Sequence, residues 1–300
     1  MLLALIAGAI LPLAFAPFHW WPVALISPAL LLFTWSRATP WQAFWRGWLF
    51  GIGLFTIGAS WIYISIHVYG NANSVLAGLI TAIFIVIMGI FPATQGLLFA
   101  SVFKRTQLAT KCLLAFPAMW VVWEWLRSWV FSGFPWLFLG YSQIDSPLGS
   151  FAPIGGVELV TLAIIVSASA FAYAIVNRAW SIAIIPAVVF STGFGIRNID
   201  WVTPNPEKTT SVVLIQGNVD QDSKWLPSHR WPTMMKYTDL SRENWGADII
   251  IWPEAAIPAF EVEIPSFLRN LDSAAKMNNS SIITGVLNQS EDKKYYNSVL

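Results

Sequence analysis

Seven long apolar runs occupy the first two thirds of the chain. Runs of about 17–25 residues are typical of membrane-spanning helices, because a helix of that length crosses the hydrocarbon core of a bilayer. The pattern therefore predicts a polytopic α-helical membrane domain over residues 1–200. A signal peptide is an alternative for the first run, since Ala14-Phe15-Ala16 resembles a cleavage site. The seven predicted spans are residues 2–18, 20–35, 47–66, 75–102, 112–131, 156–176 and 180–196.

The pattern changes after a proline-rich joint at residues 203–206. Short β-branched runs now alternate with segments of helical length, which predicts a mostly parallel sheet in an α/β layer. The chain reaches Leu300 at the start of a fourth strand-like run, so we expect residues 201–300 to form an incomplete domain. The predicted strands are residues 211–216, 247–252 and 280–287, and the predicted helices are residues 228–244 and 264–277.

Composition agrees with a membrane protein that has a water-facing part. Hydrophobic residues make up 56% of the chain and charged residues 11%, whereas a soluble protein has roughly a quarter charged residues. Only 12 of the 33 charged side chains precede Trp201. A net charge of +1 argues against nucleic acid as a partner. With one cysteine and no metal-ligand spacing among three histidines, no disulfide, metal or cofactor is implied.

Basic residues fall in alternate loops between the predicted spans. Because short loops rich in lysine and arginine stay in the cytoplasm, this spacing predicts a cytoplasmic N-terminus. Seven crossings then place the part after about residue 200 outside the membrane. In a bacterium this arrangement means a multi-pass inner-membrane protein with a periplasmic domain. The basic loop residues are Arg37, Arg46, Lys104, Arg105, Lys111 and Arg178.

Two features break the apolar pattern of the fifth predicted span and the loop after it. Glu124 and Arg127 share one helical face, and a charge at mid-bilayer costs about 2.5–3.5 kcal/mol. We expect them to pair or to reach a polar cavity; a pair near the outer interface is the alternative. Residues 132–143 are apolar but interrupted by glycine and proline, so they cannot form a plain helix. We interpret this segment as the wall of a lipid-facing site.

Glu254 is the main candidate for chemistry. It follows a predicted buried strand that Pro253 ends, because proline has no N–H for a sheet ladder. Chemistry gathers at the carboxyl ends of strands in open α/β sheets. A carboxylate held there, partly out of water, can serve as a general base. A solvated loop glutamate is the alternative.

Several short motifs together resemble one family. Ile-Trp-Pro-Glu-Ala-Ala at 251–256 is similar to the glutamate motif of the nitrilase superfamily. Gly-Phe-Pro-Trp (133–136), Gly-Tyr-Ser-Gln (140–143), Thr-Pro-Asn-Pro-Glu-Lys-Thr (203–209) and Ile-Gln-Gly-Asn (215–218) resemble the apolipoprotein N-acyltransferases. The resemblance covers the whole chain and implies about seven spans followed by an incomplete nitrilase-like αββα domain.

The resemblance also implies a reaction. The family transfers an acyl chain from a membrane phospholipid to a cysteine, and then to the α-amine of the N-terminal S-diacylglyceryl-cysteine of an apolipoprotein. It uses a Glu-Lys-Cys triad, in which Glu254 matches the base. Trp225 matches an active-site loop tryptophan, and Gly133, Pro135 and Trp136 belong to the predicted substrate-binding wall. No cofactor is implied.

Two members of the triad have no match in this chain. Lys276, Lys293 and Lys294 do not fit the lysine motif, and Cys112 lies in a predicted span, where we expect a small buried apolar side chain. We therefore expect the lysine and cysteine beyond Leu300, and this chain alone to be inactive. The alternatives are an inactive truncated protein, a non-catalytic transporter or docking protein, and a membrane-tethered amidase.

Overall fold

A computed structural model describes residues 1–290 and 292–300 of the protein. The chain divides into two units, Met1–Trp201 and Val202–Leu300. Each unit has its own cluster of buried apolar side chains, and the larger cluster lies in the first unit.

The first unit is helical. Short 3₁₀ or π turns extend several helices and cover the breaks between others. The helices are α1 (Leu2–Ile10), α2 (Val23–Trp35), α3 (Pro40–Gly58), α4 (Trp61–Ile64), α5 (Ser74–Met88), α6 (Ile90–Val102), α7 (Leu108–Thr110), α8 (Phe116–Trp129), α9 (Ala152–Asn177) and α10 (Ile184–Ile196).

Two continuous helical segments of the described chain, Ser74–Val102 and Pro147–Asn177, are long and apolar enough to cross a membrane. A third span results if Pro40–Gly58 and Trp61–Tyr69, which meet at 53°, are taken together. Shorter apolar helices coincide with other predicted spans: Leu2–Ala14, Val23–Trp35 and Trp180–Ile196. A helical membrane protein is therefore supported, while the number of seven spans stays a prediction.

Glycines let α3 pack closely against α6. A Cβ on Gly47 would lie 2.1 Å from the carbonyl oxygen of Pro92, and a Cβ on Gly51 would lie 2.6 Å from the Cα of Gly89. No side chain fits these gaps, so the helix backbones themselves are in contact. Small residues at such positions are a common means of helix association in membranes.

The described residues of the second unit form two three-stranded sheets, two α-helices and one 3₁₀ turn, Glu261–Glu263. In the first sheet, the order is β1-β2-β4 and all strands are parallel. In the second, the order is β3-β5-β6, with β5 parallel to β3 and antiparallel to β6. The elements are β1 (Val212–Leu214), α11 (Pro227–Arg242), β2 (Ile249–Ile251), β3 (Ile257–Phe260), α12 (Pro265–Met277), β4 (Ser281–Ile283), β5 (Gly285–Gln289) and β6 (Tyr295–Val299).

The prediction of one strand over residues 280–287 is wrong. The chain leaves the first sheet after Ile283 and enters the second at Gly285. Thr284, between them, exchanges two backbone hydrogen bonds of 3.0 Å with Leu300. A continuous β-branched run shows that backbone is extended, but it does not show which sheet supplies the partners. The strand β3 was also not predicted, because Pro258 lies inside it.

Candidate active site

Glu254 lies in the turn between β2 and β3. β2 ends at Ile251, Trp252 is buried, and the turn is completed by Ala255 with φ of +48°. Pro253 and Glu254 are exposed. The sequence therefore places the carboxylate just past the carboxyl end of a strand of the parallel sheet, where the backbone turns away from that sheet.

Asn297 on β6 donates a hydrogen bond from its side-chain amide to the Glu254 carboxylate. Gly285, at the start of β5, lets this strand pass close to the backbone of the turn at Glu254. A Cβ there would lie 2.6 Å from the backbone nitrogen of Ala255 and 3.0 Å from the Cα of Glu254. Asn297 was not predicted as a site residue. The available signal was an amide side chain in the middle of a strand-like run, at residues 295–299.

The expectation that Glu254 is held partly out of water stays a prediction. The side chain is exposed, and its one hydrogen-bond partner in the described residues is Asn297. The reason is geometric. The turn carries Glu254 beyond the last paired residue of β2, and the apolar residues that follow, Ala256 and Ile257, are the ones that enter the core.

The strand beneath Glu254 is fixed from the core side. The Trp252 ring stacks on Tyr237 of α11 with 5.3 Å between centroids, and its Nε1 donates to the Ser241 hydroxyl at 2.8 Å. Burial raises the pKa of Tyr237, which keeps this phenol neutral. The contacts of Trp252 therefore fix the end of β2, and with it the start of the turn that carries Glu254.

The strand after Glu254 is fixed by an arginine of α11. Arg230 donates to the carbonyl oxygen of Pro258 at 3.2 Å and pairs with Glu263 at 2.9 Å. Both ends of the turn are thus held, and Glu254 has a defined position with a free face toward solvent.

Two other residues considered from the sequence, Trp225 and Lys276, do not take part in the hydrogen bond between Asn297 and Glu254. Trp225 is 49% exposed, with the Lys224 ammonium 5.6 Å from its ring centroid. Lys276 pairs with Asp272 of its own helix at 2.7 Å. In the described residues, none of these side chains forms a hydrogen bond with Glu254.

Residues 132–143 of the first unit are not a plain helix, as predicted. Backbone between the 3₁₀ turns Val130–Ser132 and Leu139–Gln143 is irregular. Gly133 has φ of +81°, and a Cβ there would lie 2.0 Å from the carbonyl oxygen of Ser128. This position therefore requires glycine. The tight turn sends Pro135 and Trp136 back across the end of the helix that precedes them.

Trp136 and Pro135 line an apolar cleft of about 580 Å³ in the first unit. Trp136 stacks on Phe134 at 5.5 Å and contacts Trp61 at 5.8 Å between ring centroids. The polar members of the lining include His19 and Asp145, which form a 2.6 Å pair. The volume of the cleft is in the range of small-molecule sites, about 300–1,000 Å³.

Of the two predicted alternatives for Glu124 and Arg127, direct pairing is wrong, because they form no ion pair within 4.0 Å in the described part of the chain. Both side chains do line a small cavity of the first unit, which is the other alternative. Both are buried, and each binds the backbone of segment 132–143 instead. Cys112 is 4% exposed in the helical core, as expected for a small apolar side chain. Among the described residues there is no cluster of potential metal ligands.

Comparisons with known proteins match both units. Residues 7–170 match the model of the apolipoprotein N-acyltransferase N-terminal domain, and residues 211–300 match that of carbon-nitrogen hydrolases, the nitrilase-like domain. The apolipoprotein N-acyltransferase of Vibrio parahaemolyticus is 58% identical over 100% of this chain and 59% of its own length. That of Coxiella burnetii is 47% identical over 99% of this chain and 62% of its own length.

The chain spans about three-fifths of the length of these curated relatives. The relatives are bacterial, and the apolar helices of the first unit are consistent with an inner-membrane protein. Because the N-terminal domain model alone covers more than half of the residues, the chain belongs to the apolipoprotein N-acyltransferase family.

Proposed function

We propose that the protein containing this chain transfers an acyl group from a membrane phospholipid to the N-terminal S-diacylglyceryl-cysteine of lipoproteins. The observation that carries the proposal is Glu254, held by Asn297 at the end of a strand of a nitrilase-like unit whose chain continues from an apolar helical unit. A base for acyl transfer and a binding surface for lipid thus occur in one polypeptide.

In the first half-reaction, the Glu254 carboxylate takes the proton of a cysteine thiol. The thiolate attacks the ester carbonyl of the phospholipid, a C–S bond forms and the C–O bond breaks. The departing lysophospholipid oxygen takes the proton from Glu254, and a thioester remains. A thiol with pKa near 8.5 needs such a base or a positive neighbour to become a nucleophile. A lysine would stabilise the oxyanion of the tetrahedral intermediate.

In the second half-reaction, the α-amine of the lipoprotein attacks the thioester. An amide C–N bond forms, the C–S bond breaks, and Glu254 passes the amine proton to the departing thiolate. We propose that the lysine and cysteine are supplied by residues outside these 300, and that Asn297 keeps the carboxylate in one orientation through both steps. No cofactor enters the balance.

The lipid side of the reaction belongs to the helical unit in this proposal. Pro135 and Trp136 line the cleft, and Gly133 makes the turn that brings them there. Trp225 is exposed and free to contact a substrate. We assign these four residues to substrate binding, with residues 1–200 spanning the membrane and residues 201–300 facing the periplasm. The charged loops support a cytoplasmic N-terminus.

The test is Glu254→Gln in the longer protein, with Glu207→Gln as the matched control, because Glu207 is also exposed and no other side chain binds its carboxylate in the described residues. Conversion of a diacylated to a triacylated lipopeptide is measured by mass spectrometry. We expect Glu254→Gln to lower the rate about 10²–10⁴-fold, the usual contribution of a general base. Wild-type rates in this variant would remove Glu254 from the mechanism.

A soluble amide substrate distinguishes the amidase alternative. Hydrolysis of such an amide without phospholipid would favour a membrane-tethered amidase, whereas phospholipid-dependent formation of the triacylated product supports the transferase. Lipid or solute flux in proteoliposomes, without either product, would favour a transporter.

A further inference from the structure

Three polar side chains of the helical unit bind the irregular backbone beside Trp136. They are Glu124 and Arg127 of α8 and Thr161 of α9, referred to below as the polar clamp. All three are at least 91% buried. The reaction proposed above uses none of them, so their place in an apolar unit needs a separate explanation.

Glu124 holds the segment through its carboxylate. Oε1 accepts the backbone N–H of Leu139 at 2.8 Å and the Trp120 indole N–H at 3.0 Å. Oε2 accepts the Thr161 hydroxyl at 2.9 Å. Three donors therefore satisfy the carboxylate, and one of them belongs to the loop backbone.

Arg127 binds the same segment as a donor, to backbone carbonyl oxygens. Its guanidinium donates to the carbonyl oxygen of Trp136 at 2.8 Å and to that of Leu137 at 3.4 Å. The cation also lies over the rings of Phe138, at 4.8 Å, and Phe55, at 5.4 Å. Lysine cannot reproduce this planar, forked contact.

Thr161 completes the set. Its hydroxyl oxygen accepts the backbone N–H of Gly140 at 2.9 Å while its proton goes to Glu124. The clamp thus binds backbone groups of residues 136, 137, 139 and 140. Irregular backbone in an apolar unit lacks the internal hydrogen bonds of a helix, and each unpaired group would be costly. The clamp supplies those bonds.

The bound segment forms one wall of the apolar cleft. The Leu137 side chain lies against Gly58, where a Cβ would be only 2.5 Å from Leu137 Cδ1. Gly58 ends α3 just before the 53° bend, and Trp61 beyond the bend contacts Trp136. A shift of residues 136–137 would therefore change the shape of the cleft that Trp136 and Trp61 both line.

We propose that the polar clamp is a set of positioning residues that fixes the cleft for a phospholipid acyl chain. The inference deepens the proposed function and rests on it for the identity of the ligand. Glu124, Arg127 and Thr161 touch no reacting atom in this view. They act through the backbone of residues 136–140, which sets the position of Trp136.

The first experiment measures this position without catalysis. In the longer protein, Cys112 and any further cysteine are replaced by alanine. Cysteines introduced at Ile144 and Val68 then carry spin labels on the loop side and beyond the bend. The distance between labels is measured by pulsed electron paramagnetic resonance in nanodiscs. We expect one narrow distance in the parent chain, and a shifted or broadened distribution in Arg127→Met and in Thr161→Val. Arg105→Met and Thr110→Val, both at exposed positions, are matched controls and should leave the distance unchanged.

Thr161→Val keeps the side-chain volume, so this variant tests the positioning role of the polar clamp if Arg127→Met does not fold. An unchanged distance in folded Thr161→Val overturns the positioning role.

The second experiment measures acylation in the longer protein at varied phospholipid concentration. We expect Arg127→Met to raise KM for the phospholipid about tenfold while kcat changes little, which is the pattern of lost uniform substrate binding. Arg127→Lys should recover part of the loss. A changed distance with an unchanged KM would overturn the assignment of the cleft. If the wild-type protein does not acylate at all, the proposed function fails while the distance measurement still tests the clamp.

Discussion

Glu124 in the first unit and Glu254 in the second both lie beside irregular backbone, and the surroundings of these two carboxylates differ. Glu124 is 9% exposed and accepts three hydrogen bonds. Glu254 is exposed and, among the described residues, accepts one, from Asn297. A carboxylate with all its partners in place holds structure, because moving any partner costs energy. A carboxylate with one partner and a free face can exchange protons with a substrate.

The comparison also corrects a common expectation about burial. A buried charged group in an apolar unit is often the first candidate for function, whereas the mechanism proposed here uses the glutamate that is exposed in the described chain. The buried one accepts structural hydrogen bonds on both of its carboxylate oxygens, two on Oε1 and one on Oε2. The number of hydrogen bonds and the exposure therefore both distinguish the two glutamates in the described chain.

The largest effect on folding should come from Glu124→Leu. This change leaves the N–H groups of Leu139 and Trp120 and the Thr161 hydroxyl without their acceptor, and each buried unpaired donor costs about 1–3 kcal/mol. We expect a loss of at least about 3 kcal/mol, seen as a lower unfolding midpoint in detergent. Glu158→Gln, at an exposed carboxylate of α9, is the control. Equal midpoints for the two variants would contradict a structural role of Glu124.

A smaller loss is expected for Gly47→Leu. The new side chain has no space beside Pro92, and overpacking costs about 1–3 kcal/mol. Gly78→Leu is the matched control, because no atom lies within 4 Å of a Cβ there. Unfolding midpoints of the two variants in the same detergent measure the difference. If Gly47→Leu were no less stable than Gly78→Leu, the close packing of α3 on α6 would not contribute to stability.

In the second unit, Asn297→Leu removes the hydrogen bond to Glu254 and should lower the acylation rate about tenfold. A hydrogen bond to a charged group contributes about 1.5–3 kcal/mol, and we expect the lower end at this exposed position. Initial rates in the longer protein measure it, with Asn288→Leu as control, because Asn288 binds Glu261 instead. We expect kcat to fall more than KM changes. A rate equal to wild type would mean that Glu254 needs no partner.

The smallest effect concerns Asp248, just before β2. Hydrogen bonds from the Ser211 backbone N–H, at 2.7 Å, and from its hydroxyl, at 2.8 Å, hold the pKa of this carboxyl below its ordinary value. The resulting stability is present above the ordinary pKa, about 3.9, and is lost as pH falls through the lowered value. Ser211→Ala should raise the pKa, measured by NMR titration of the Asp248 carboxyl carbon. Ser223→Ala should not change it.

Much of this organisation could be predicted from residues alone. Helices occur at the apolar runs, the break at residues 132–143 follows from Gly133 and Pro135, and β1, β2, α11 and α12 match the predicted elements within a few residues. These features depend on local properties of the chain: hydrophobic length, period and the backbone limits of glycine and proline. The position of Glu254 after a strand follows in the same way.

The partners could not be predicted, because they come from distant parts of the chain. Residues 280–287 form one β-branched run, but only three-dimensional pairing divides it between two sheets. Asn297 is 43 residues from Glu254, and no local pattern joins them. The spacing of Glu124 and Arg127 on one helix indicated an ion pair. In the folded chain, Glu124 binds the backbone N–H of Leu139 and Arg127 binds the carbonyl oxygen of Trp136.

By itself, then, the sequence determined that this chain has an apolar helical part and an α/β part, and that a carboxylate follows a strand in the second. Hydrophobicity and backbone stereochemistry are properties of neighbouring residues, so they can be read along the chain. Only the tertiary structure decided which hydrogen-bond partners each carboxylate has in the described residues. Hydrogen-bond partners and solvent access depend on where distant segments meet, and that is fixed by packing of the whole unit.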